Sequence, residues 1–303
     1  MKNKIIIGSR KSKLALIYAE RAKMELLKNQ KIESVEVKSI TTAGDTIIDR
    51  RLSEYGGKGL FCKTIEGELL EKNIDLAVHA LKDMPTDETE GLLTNCFLER
   101  NNPTEILISN GNKKLKELKS NAVVGTSSFR REFQLKRLRK DLCYKLIRGN
   151  IDTRVKKLNE NLYDAIILSY AGIESLGLEK KISQRFSVSE IIPSAGQGVI
   201  ALQCRENDKE LIEILNKVNH RKTHECIKAE RNVLKVLEGD CETAVGAFAE
   251  IINDKINLEA ELYSLDGKDR FYIKLSKDLK YALELGKEAG KILKTQSKNS
   301  YKK

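Results

Sequence analysis

The chain has 303 residues, of which 40% are hydrophobic and 33% are charged, and this composition excludes a globally disordered protein. At about 150 residues per domain, the length predicts two or three domains. The 55 lysines and arginines exceed the 44 acidic residues, and residues 113–157 hold 15 of the former and only 4 of the latter. That stretch carries the whole positive excess, which is expected of a lysine-rich solvated face or of a site for a strongly negative partner.

No apolar run approaches the roughly 18–20 residues of a membrane span. The first residues, MKNKIIIGSRKSKLAL, contain a run of only three apolar positions, whereas a signal peptide needs about 7–15. The six cysteines are scattered and form no C-x-x-C pair. These observations predict a soluble, reduced protein of the cytoplasm that does not enter a membrane.

Strands and helices alternate in the first part of the chain. Apolar runs predict strands at 5–7, 35–37 and 75–79. A helix with Ser12 as its cap is predicted after the first strand, and a second helix over 60–71. The polar, glycine-rich residues 41–59 are predicted to be a long loop. This β-α-β order predicts a parallel sheet with helices on its faces.

The same pattern then repeats between two proline-containing segments. Strands are predicted at 106–109, 122–124, 144–147 and 165–169, with helices over 129–142 and 152–160. Hinges are predicted at 100–103 and 193–198, which hold two of the three prolines. A strand at 199–203 is predicted to return to the first unit.

The last part of the chain changes character. Helices are predicted at about 208–218 and 223–237, strands at 245–251, 256–262 and 271–275, and a final helix at about 279–294. Asn253-Asp254 and Asp266-Gly267 are good hairpin turns. The predicted fold is thus α/β, with two doubly wound lobes and a small α+β third domain that has a three-stranded antiparallel sheet. The predicted domains are 1–99 with 199–218, then 104–192, then 219–303.

The segment from Gly125 to Arg131 combines a strand end, hydroxyl residues and the start of a helix. Ser128 precedes Arg130 and Arg131, and cations are normally unfavourable in the first turn of a helix. The free N–H groups of that turn, together with hydroxyls and guanidinium groups, bind anions. An ordinary capped helix with solvated arginines explains the segment about equally well.

Further arginines stand at other strand ends. Arg148 follows the next predicted strand, Arg154 begins the next helix, and Arg10 ends the first strand of the chain. Ligands of α/β folds bind at the carboxyl ends of the strands, so the arginines at 130, 131, 148 and 154 are expected to converge. Guanidinium groups suit several carboxylates or phosphates.

Other residues allow chemistry but have simpler explanations. Asp83 after the 75–79 strand is a candidate acid–base group, or it pairs with Lys82. His220, His224 and Cys226 lack a second ligand cluster, so no metal site is predicted. His79, on a strand, is expected to be structural. Cys241 in a glycine turn is a candidate attachment point or nucleophile, or an inert thiol.

Together these segments resemble the porphobilinogen deaminase (hydroxymethylbilane synthase) family. The resemblance runs from about residue 5 to the end of the chain. It rests on GSRKS at 8–12 and on segments 56–61, 77–85, 125–131, 148–154, 193–205 and 237–241. The GTSS-x-RR and RGN-x-x-TR motifs are the most specific.

The resemblance implies a fold and an activity. It implies two lobes like those of type II periplasmic binding proteins, and a third domain that carries the cofactor loop. The cofactor is dipyrromethane, thioether-linked to Cys241. Four porphobilinogens are then added head to tail with loss of ammonia, and hydroxymethylbilane is released by hydrolysis in tetrapyrrole (heme) biosynthesis. A monomer that uses no metal or nucleotide is expected.

The resemblance also assigns residues. Asp83 is expected to contact pyrrole N–H groups and to stabilise the cationic azafulvene. The cofactor is expected to bind, besides Cys241, to Lys82, Ser128, Arg130, Arg131 and Arg148. The substrate is expected to bind to Arg10, Ser12, Lys58 and Arg154. Departures from the family pattern occur at Tyr18, Glu54, Ala80, Ser175 and Asp240.

Two other functions remain open from the residues alone. One is a non-catalytic two-lobe protein that clamps a polycarboxylate, which leaves Cys241 and Asp83 without a role. The other is nucleic-acid binding through residues 113–157, which a steep salt dependence would reveal. The basic stretch contains few aromatic residues, and no helix-turn-helix or zinc pattern appears, so no nucleic-acid partner is predicted.

Overall fold

A computed structural model describes residues 3–42, 59–239 and 243–302. The strands are β1 Lys4–Arg10, β2 Ser34–Ile40, β3 Leu76–Ala80, β4 Leu92–Phe97, β5 Glu105–Ser109, β6 Val123–Gly125, β7 Cys143–Lys145, β8 Ala165–Ser169, β9 Gln184–Arg185, β10 Ile200–Arg205, β11 Val245–Ile252, β12 Lys255–Tyr263 and β13 Arg270–Asp278. The α-helices are α1 Lys13–Leu27, α2 Lys63–Leu70, α3 Phe129–Leu138, α4 Ile151–Asn159, α5 Tyr170–Ser175, α6 Lys209–Val218, α7 Arg221–Leu237 and α8 Ala282–Ser297.

The described residues form two compact units. The first unit comprises 3–42, 59–101 and 198–225, and the second comprises 102–197, 226–239 and 243–302. Within the described residues, the chain passes between them at 101/102, 197/198 and 225/226. The second unit holds both the second α/β sheet and the antiparallel sheet, so the division into three domains stays a prediction.

The first unit is built on a five-stranded sheet in the order β2-β1-β3-β10-β4. Strands β2, β1 and β3 are parallel, as the β-α-β order predicts. Strand β10 runs antiparallel to both of its neighbours, with Ile200 opposite Ala80, so the sheet is mixed rather than wholly parallel. The predicted return of the chain to the first unit is therefore confirmed, whereas β4 lies where no strand was expected.

Helix α1 covers one face of this sheet. It begins after Ser12, whose Oγ accepts a hydrogen bond from the N–H of Ala15 at 3.3 Å, so the predicted cap is confirmed. Its buried positions, Tyr18, Ala19, Ala22 and Leu26, recur every three or four residues. They pack into a core with the apolar side chains of β1, β3 and β10.

The second unit contains a sheet of the same design. Its strand order is β7-β6-β8-β5-β9, with β7, β6 and β8 parallel and β5 antiparallel to both of its neighbours. In each sheet the antiparallel strand is the first one after the chain has crossed from the other unit. Helix α3 ends at Leu138, four residues before its predicted end, and β7 ends at Lys145 rather than at 147. Strand β9 and helix α5 were not predicted.

The remaining strands form the predicted three-stranded antiparallel sheet, in the order β11-β12-β13. The first hairpin turns at Asn253 and Asp254, which both have positive φ, as a tight two-residue turn requires. Helices α7 and α8 contribute to the core beneath this sheet. They approach so closely that a Cβ on Gly286 would lie 2.1 Å from the carbonyl oxygen of Ala229.

The predicted fold class, two α/β units with a small antiparallel sheet, is therefore confirmed. Most of the long loop predicted at 41–59 lies outside the described residues. Among the helices that are described, none combines the length and the apolar character needed to cross a membrane.

Candidate active site

A cavity opens in the first unit at the carboxyl ends of the parallel strands. Arg10 ends β1, and Asp83 follows β3 through a short 3₁₀ turn, so both residues reach the same sheet edge. They line the cavity together with Ser12 and His79, and its volume, part of it open solvent, is about 440 Å³. Three of the predicted site residues are thus brought together, at the edge where α/β folds bind ligands.

Arg10 is held against an aromatic ring. Its guanidinium carbon lies 4.0 Å from the centre of the Phe61 ring, and both residues line the cavity. Stacking on a ring face orients a guanidinium group and leaves its edge for hydrogen bonds. The side chain of Arg10 is half-buried, which suits a carboxylate partner that is partly desolvated.

Lys82 and Asp83 lie in the 3₁₀ turn Leu81–Asp83, and both are exposed. Asp83 lines the cavity, whereas Lys82 is not among the residues that line it. The backbone carbonyl of Asp83 lies 3.8 Å from the Sγ of Cys62, at the start of α2. This placement leaves the Asp83 carboxylate available to a ligand.

His79 lies beside these residues, on the side of β3 that α2 covers. It is 6% exposed, and burial lowers the pKa of its imidazole to about 4, although the nearby Glu66 carboxylate opposes the shift. Its Nε2 is 3.1 Å from the side-chain oxygen of Gln203 on β10. The expectation of a structural strand histidine agrees with these contacts, but the residue also lines the cavity.

Acid should destabilise the first unit through His79. The pKa of this histidine is about 4 in the folded protein and about 6.5 in the unfolded chain, so the unfolded state binds more protons between these values. The contribution of His79 to the free energy of unfolding is fully present above about pH 6.5. It is lost as the pH drops towards 4, and the total loss is about 3 kcal/mol. Urea unfolding of the wild type and of His79→Gln at pH 7 and pH 4.5 should show a smaller acid loss in the variant; an equal loss contradicts the assignment.

In the second unit, α3 begins at the predicted anion motif. Ser128 is its N-cap, and the Ser128 Oγ accepts a hydrogen bond from the N–H of Arg131 at 3.4 Å. Arg130 and Arg131 are 5% and 7% exposed, so neither is a solvated surface arginine. The interpretation as an ordinary helix with solvated arginines is therefore wrong.

Both arginines turn towards Glu105, a residue that the sequence analysis did not single out. Glu105 is fully buried at the start of β5, and its two carboxylate oxygens lie 2.6 Å from Arg130 Nη2 and 2.8 Å from Arg131 Nη2. Arg130 also donates to the carbonyl of Ile192 at 2.7 Å. Burial lowers the pKa of Arg130, and the charge of Glu105 opposes this shift. Arg130 thus has a structural partner, and its contact with a cofactor stays a prediction.

Arg148 lies in the connection from β7 to α4, Arg154 lies in the first turn of α4, and both are half-buried. The Nε of Arg154 donates to the carbonyl of Gly149 at 2.8 Å, which ties the first turn of α4 to this connection. Gly149 has a φ of +109°, and a Cβ there would lie 2.8 Å from Cγ2 of Thr153. The glycine therefore permits the turn that places both arginines at the carboxyl edge of the second sheet.

Two predicted site residues, Lys58 and Cys241, lie outside the described residues, as do Glu54 and Asp240. The five described cysteines form no disulfide. Within 3–42, 59–239 and 243–302, no group of three or more potential ligands could hold a metal ion. Like Glu105, Glu66 and Gln203 were not predicted from the sequence; a polar residue within an otherwise apolar strand or helix face was the available signal.

The second unit offers a place for an anionic group. The Nε of Arg131 is buried and has no hydrogen-bond partner among the described residues. A buried donor without a partner is costly, so it fits a ligand carboxylate. Ser128 supplies a hydroxyl in the same turn. These residues therefore fit a cofactor that carries carboxylates, such as dipyrromethane.

Each of the two α/β sheets carries arginines and a helix-capping serine at its carboxyl edge, and the first sheet also has a carboxylate in a cavity. This arrangement defines a protein that binds organic anions. The sequence comparisons identify its family. The profile "Porphobilinogen deaminase, dipyromethane cofactor binding domain" matches residues 5–213, and the profile "Porphobilinogen deaminase, C-terminal domain" matches residues 224–295. The chain belongs to the porphobilinogen deaminase family.

Individual relatives agree with this membership. Porphobilinogen deaminase of Staphylococcus carnosus is 40% identical over 97% of this chain and 95% of its own length. The enzyme of the same name from Bacillus cereus is 46% identical over 87% of this chain and 86% of its own. Among solved structures, the methionine binding protein MetQ is 14% identical over 74% of this chain and 91% of its own, with a TM-score of 0.44.

Proposed function

We propose that the protein is a transferase that joins four porphobilinogen molecules head to tail on a dipyrromethane primer and then releases hydroxymethylbilane by hydrolysis. The observation that carries the proposal is the cavity that Arg10 and Asp83 line together in a member of this family. Such a site combines a cation for carboxylates with an anion for a cationic reacting centre. A non-catalytic protein that binds polycarboxylates needs the cation but not the anion.

In the first unit, Asp83 is the group that acts on the reacting atoms. Loss of ammonia breaks the bond between carbon and nitrogen in the protonated aminomethyl group of porphobilinogen, and the electron pair leaves with the nitrogen as neutral ammonia. The positive charge left on the pyrrole ring and its methylene is stabilised by the Asp83 carboxylate, which also accepts a hydrogen bond from the pyrrole N–H. Arg10 and Ser12, with Lys58, hold the substrate carboxylates, and Lys82 contributes to binding the cofactor.

In the second unit, the arginines hold acidic side chains of the growing chain. The half-buried Arg148 binds cofactor carboxylates with Ser128 and Arg131, and Arg154 binds those of the substrate. Arg130 is proposed to contribute through its charge, because its guanidinium group also holds Glu105 and Ile192. The chemistry that dipyrromethane supplies when bound is a nucleophilic pyrrole carbon at which the chain grows. Cys241 holds it through a thioether.

Intact-mass spectrometry tests this function. The purified protein should carry extra mass equal to dipyrromethane, and porphobilinogen should add evenly spaced increments while ammonia is released. Cys241→Ser should fold but lose the extra mass, because a serine hydroxyl does not replace the thioether sulfur. Cys143→Ser is the matched control, since Cys143 is exposed and its loss should leave both the mass and the ladder unchanged. An unmodified wild type that is fully active, or ligand binding without ammonia release, contradicts the proposal.

We propose further that the protein works as a monomer in the cytoplasm and needs no nucleic-acid partner. The short apolar runs and the scattered cysteines support the location, the family resemblance supports the monomer, and the lack of a helix-turn-helix or zinc pattern supports the absence of a nucleic-acid partner. Sedimentation at working concentration tests the oligomeric state, and fractionation of cells tests the location.

A further inference from the structure

His79 lines the cavity of Asp83 and Arg10, yet the proposed function gives it no task. It is one of only 3 histidines in the chain. A buried imidazole at a substrate cavity either supports the strand on which it lies or binds the ligand. The hydrogen bonds that link the imidazole to Gln203 and Glu66 distinguish these possibilities.

A chain of side chains determines which ring nitrogen carries the proton. Glu66 on α2 accepts a hydrogen bond from the side-chain N–H of Gln203 at 3.0 Å, and it also accepts one from the hydroxyl of Thr89 at 2.9 Å. Because a carboxylate only accepts, the amide of Gln203 must turn its nitrogen to Glu66 and its oxygen to His79. The Nε2 of His79, 3.1 Å from that oxygen, is therefore the N–H donor.

The second ring nitrogen is thereby determined as well. A neutral imidazole with its proton on Nε2 has an unprotonated Nδ1, which accepts hydrogen bonds. The charged groups that act on the ring are Glu66, Asp83 and Arg10. Burial outweighs their combined effect and lowers the pKa of His79 to about 4, so the ring stays neutral near pH 7.

We propose that His79 is a substrate-binding residue, whose Nδ1 accepts a hydrogen bond from an N–H group of porphobilinogen in the cavity that Asp83 and Arg10 line. This inference rests on the proposed function for the identity of the substrate. Glu66 and Gln203 are then positioning residues, since they act only through the tautomer of His79. The cavity pairs a charged acceptor, Asp83, with a neutral one, and the neutral one recognises an N–H without adding charge.

Two isosteric variants test the proposal. In His79→Gln the side-chain amide reaches the position of Nε2 and can still donate to Gln203, but no acceptor remains at the position of Nδ1. In His79→Asn the amide lies near the position of Nδ1 and supplies an acceptor, but Gln203 loses its donor. We expect kcat/KM for porphobilinogen to fall by about tenfold to a hundredfold in His79→Gln and to be better retained in His79→Asn. A purely structural histidine gives the opposite order, and that order, or equal losses, overturns the proposal.

Nitrogen-15 NMR of histidine-labelled full-length protein provides a second readout, which does not require either variant to fold. The proposal expects Nε2 of His79 to be protonated and Nδ1 to be bare in the unliganded protein. When porphobilinogen is added to the slow Asp83→Asn protein, the Nδ1 resonance should shift while Nε2 keeps its proton. A protonated Nδ1, or no shift, overturns the inference. If the wild type releases no ammonia, the proposed function is overturned instead. The tautomer of His79 in the unliganded protein is measured independently of that result.

Discussion

Asp83→Asn should lower the rate of ammonia release from porphobilinogen by about a hundredfold to a thousandfold, the range found when one group that stabilises transition-state charge is removed. The amide keeps the shape of the side chain and one acceptor oxygen but loses the charge. Deamination creates a cation in a cavity that already holds the guanidinium of Arg10. Without the carboxylate, nothing among the described lining residues supplies the opposing negative charge.

The fold should tolerate this replacement, because the side chain of Asp83 is exposed and surface substitutions usually change stability by less than about 0.5 kcal/mol. Intact mass should still show the bound primer, which separates loss of turnover from loss of cofactor. Asp87→Asn is the matched control: Asp87 is also exposed, follows Asp83 by four residues and does not line the cavity. Turnover within tenfold of the wild type in Asp83→Asn would remove this residue from the mechanism.

Glu105→Gln should destabilise the second unit by about 3–5 kcal/mol, the cost of removing one partner from a buried ion pair. Glu105 is fully buried and faces Arg130 and Arg131 at 2.6 and 2.8 Å. The amide removes the carboxylate that both buried guanidinium groups contact. Because Arg130 also holds the carbonyl of Ile192, the packing of the 192–197 segment should loosen as well.

Urea unfolding monitored by circular dichroism measures this loss as a lower midpoint with an unchanged slope. The control is Asp141→Asn, which breaks the pair of Asp141 with Arg139 at the surface and should leave the midpoint nearly unchanged, since water screens such pairs. An unchanged midpoint in Glu105→Gln would show that the two arginines do not depend on this carboxylate, and their predicted role in cofactor binding would then be strengthened.

The ion pairs of Glu105 with Arg130 and Arg131 change the interpretation of the Gly125–Arg131 segment. From the sequence, the placement of two arginines in the first turn of a helix indicates an anionic ligand. The structure supplies an anion from the chain itself, Glu105, 25 residues before Arg130. The Nε of Arg131 still lacks a partner among the described residues, so this arginine retains a donor for a ligand.

The local features of the fold could be predicted because neighbouring residues determine them. The cap at Ser12 depends on one side chain and the N–H three residues later. The hairpin at Asn253-Asp254 depends on residues that tolerate positive φ. The boundaries of α3 and β7 were less accurate, since strand and helix ends depend on tertiary packing.

The sequence alone established the two α/β units, the antiparallel third sheet, the cap at Ser12 and the family motifs, because each depends on periodicity or on residues close together in the chain. Only the tertiary structure revealed that β5 and β10 enter their sheets antiparallel, that Arg130 and Arg131 face Glu105, and that His79 is oriented by Gln203, 124 residues away. Such pairings join distant parts of the chain, and they follow from sheet topology and from the cost of burying an unpaired polar group, neither of which leaves a periodic signal.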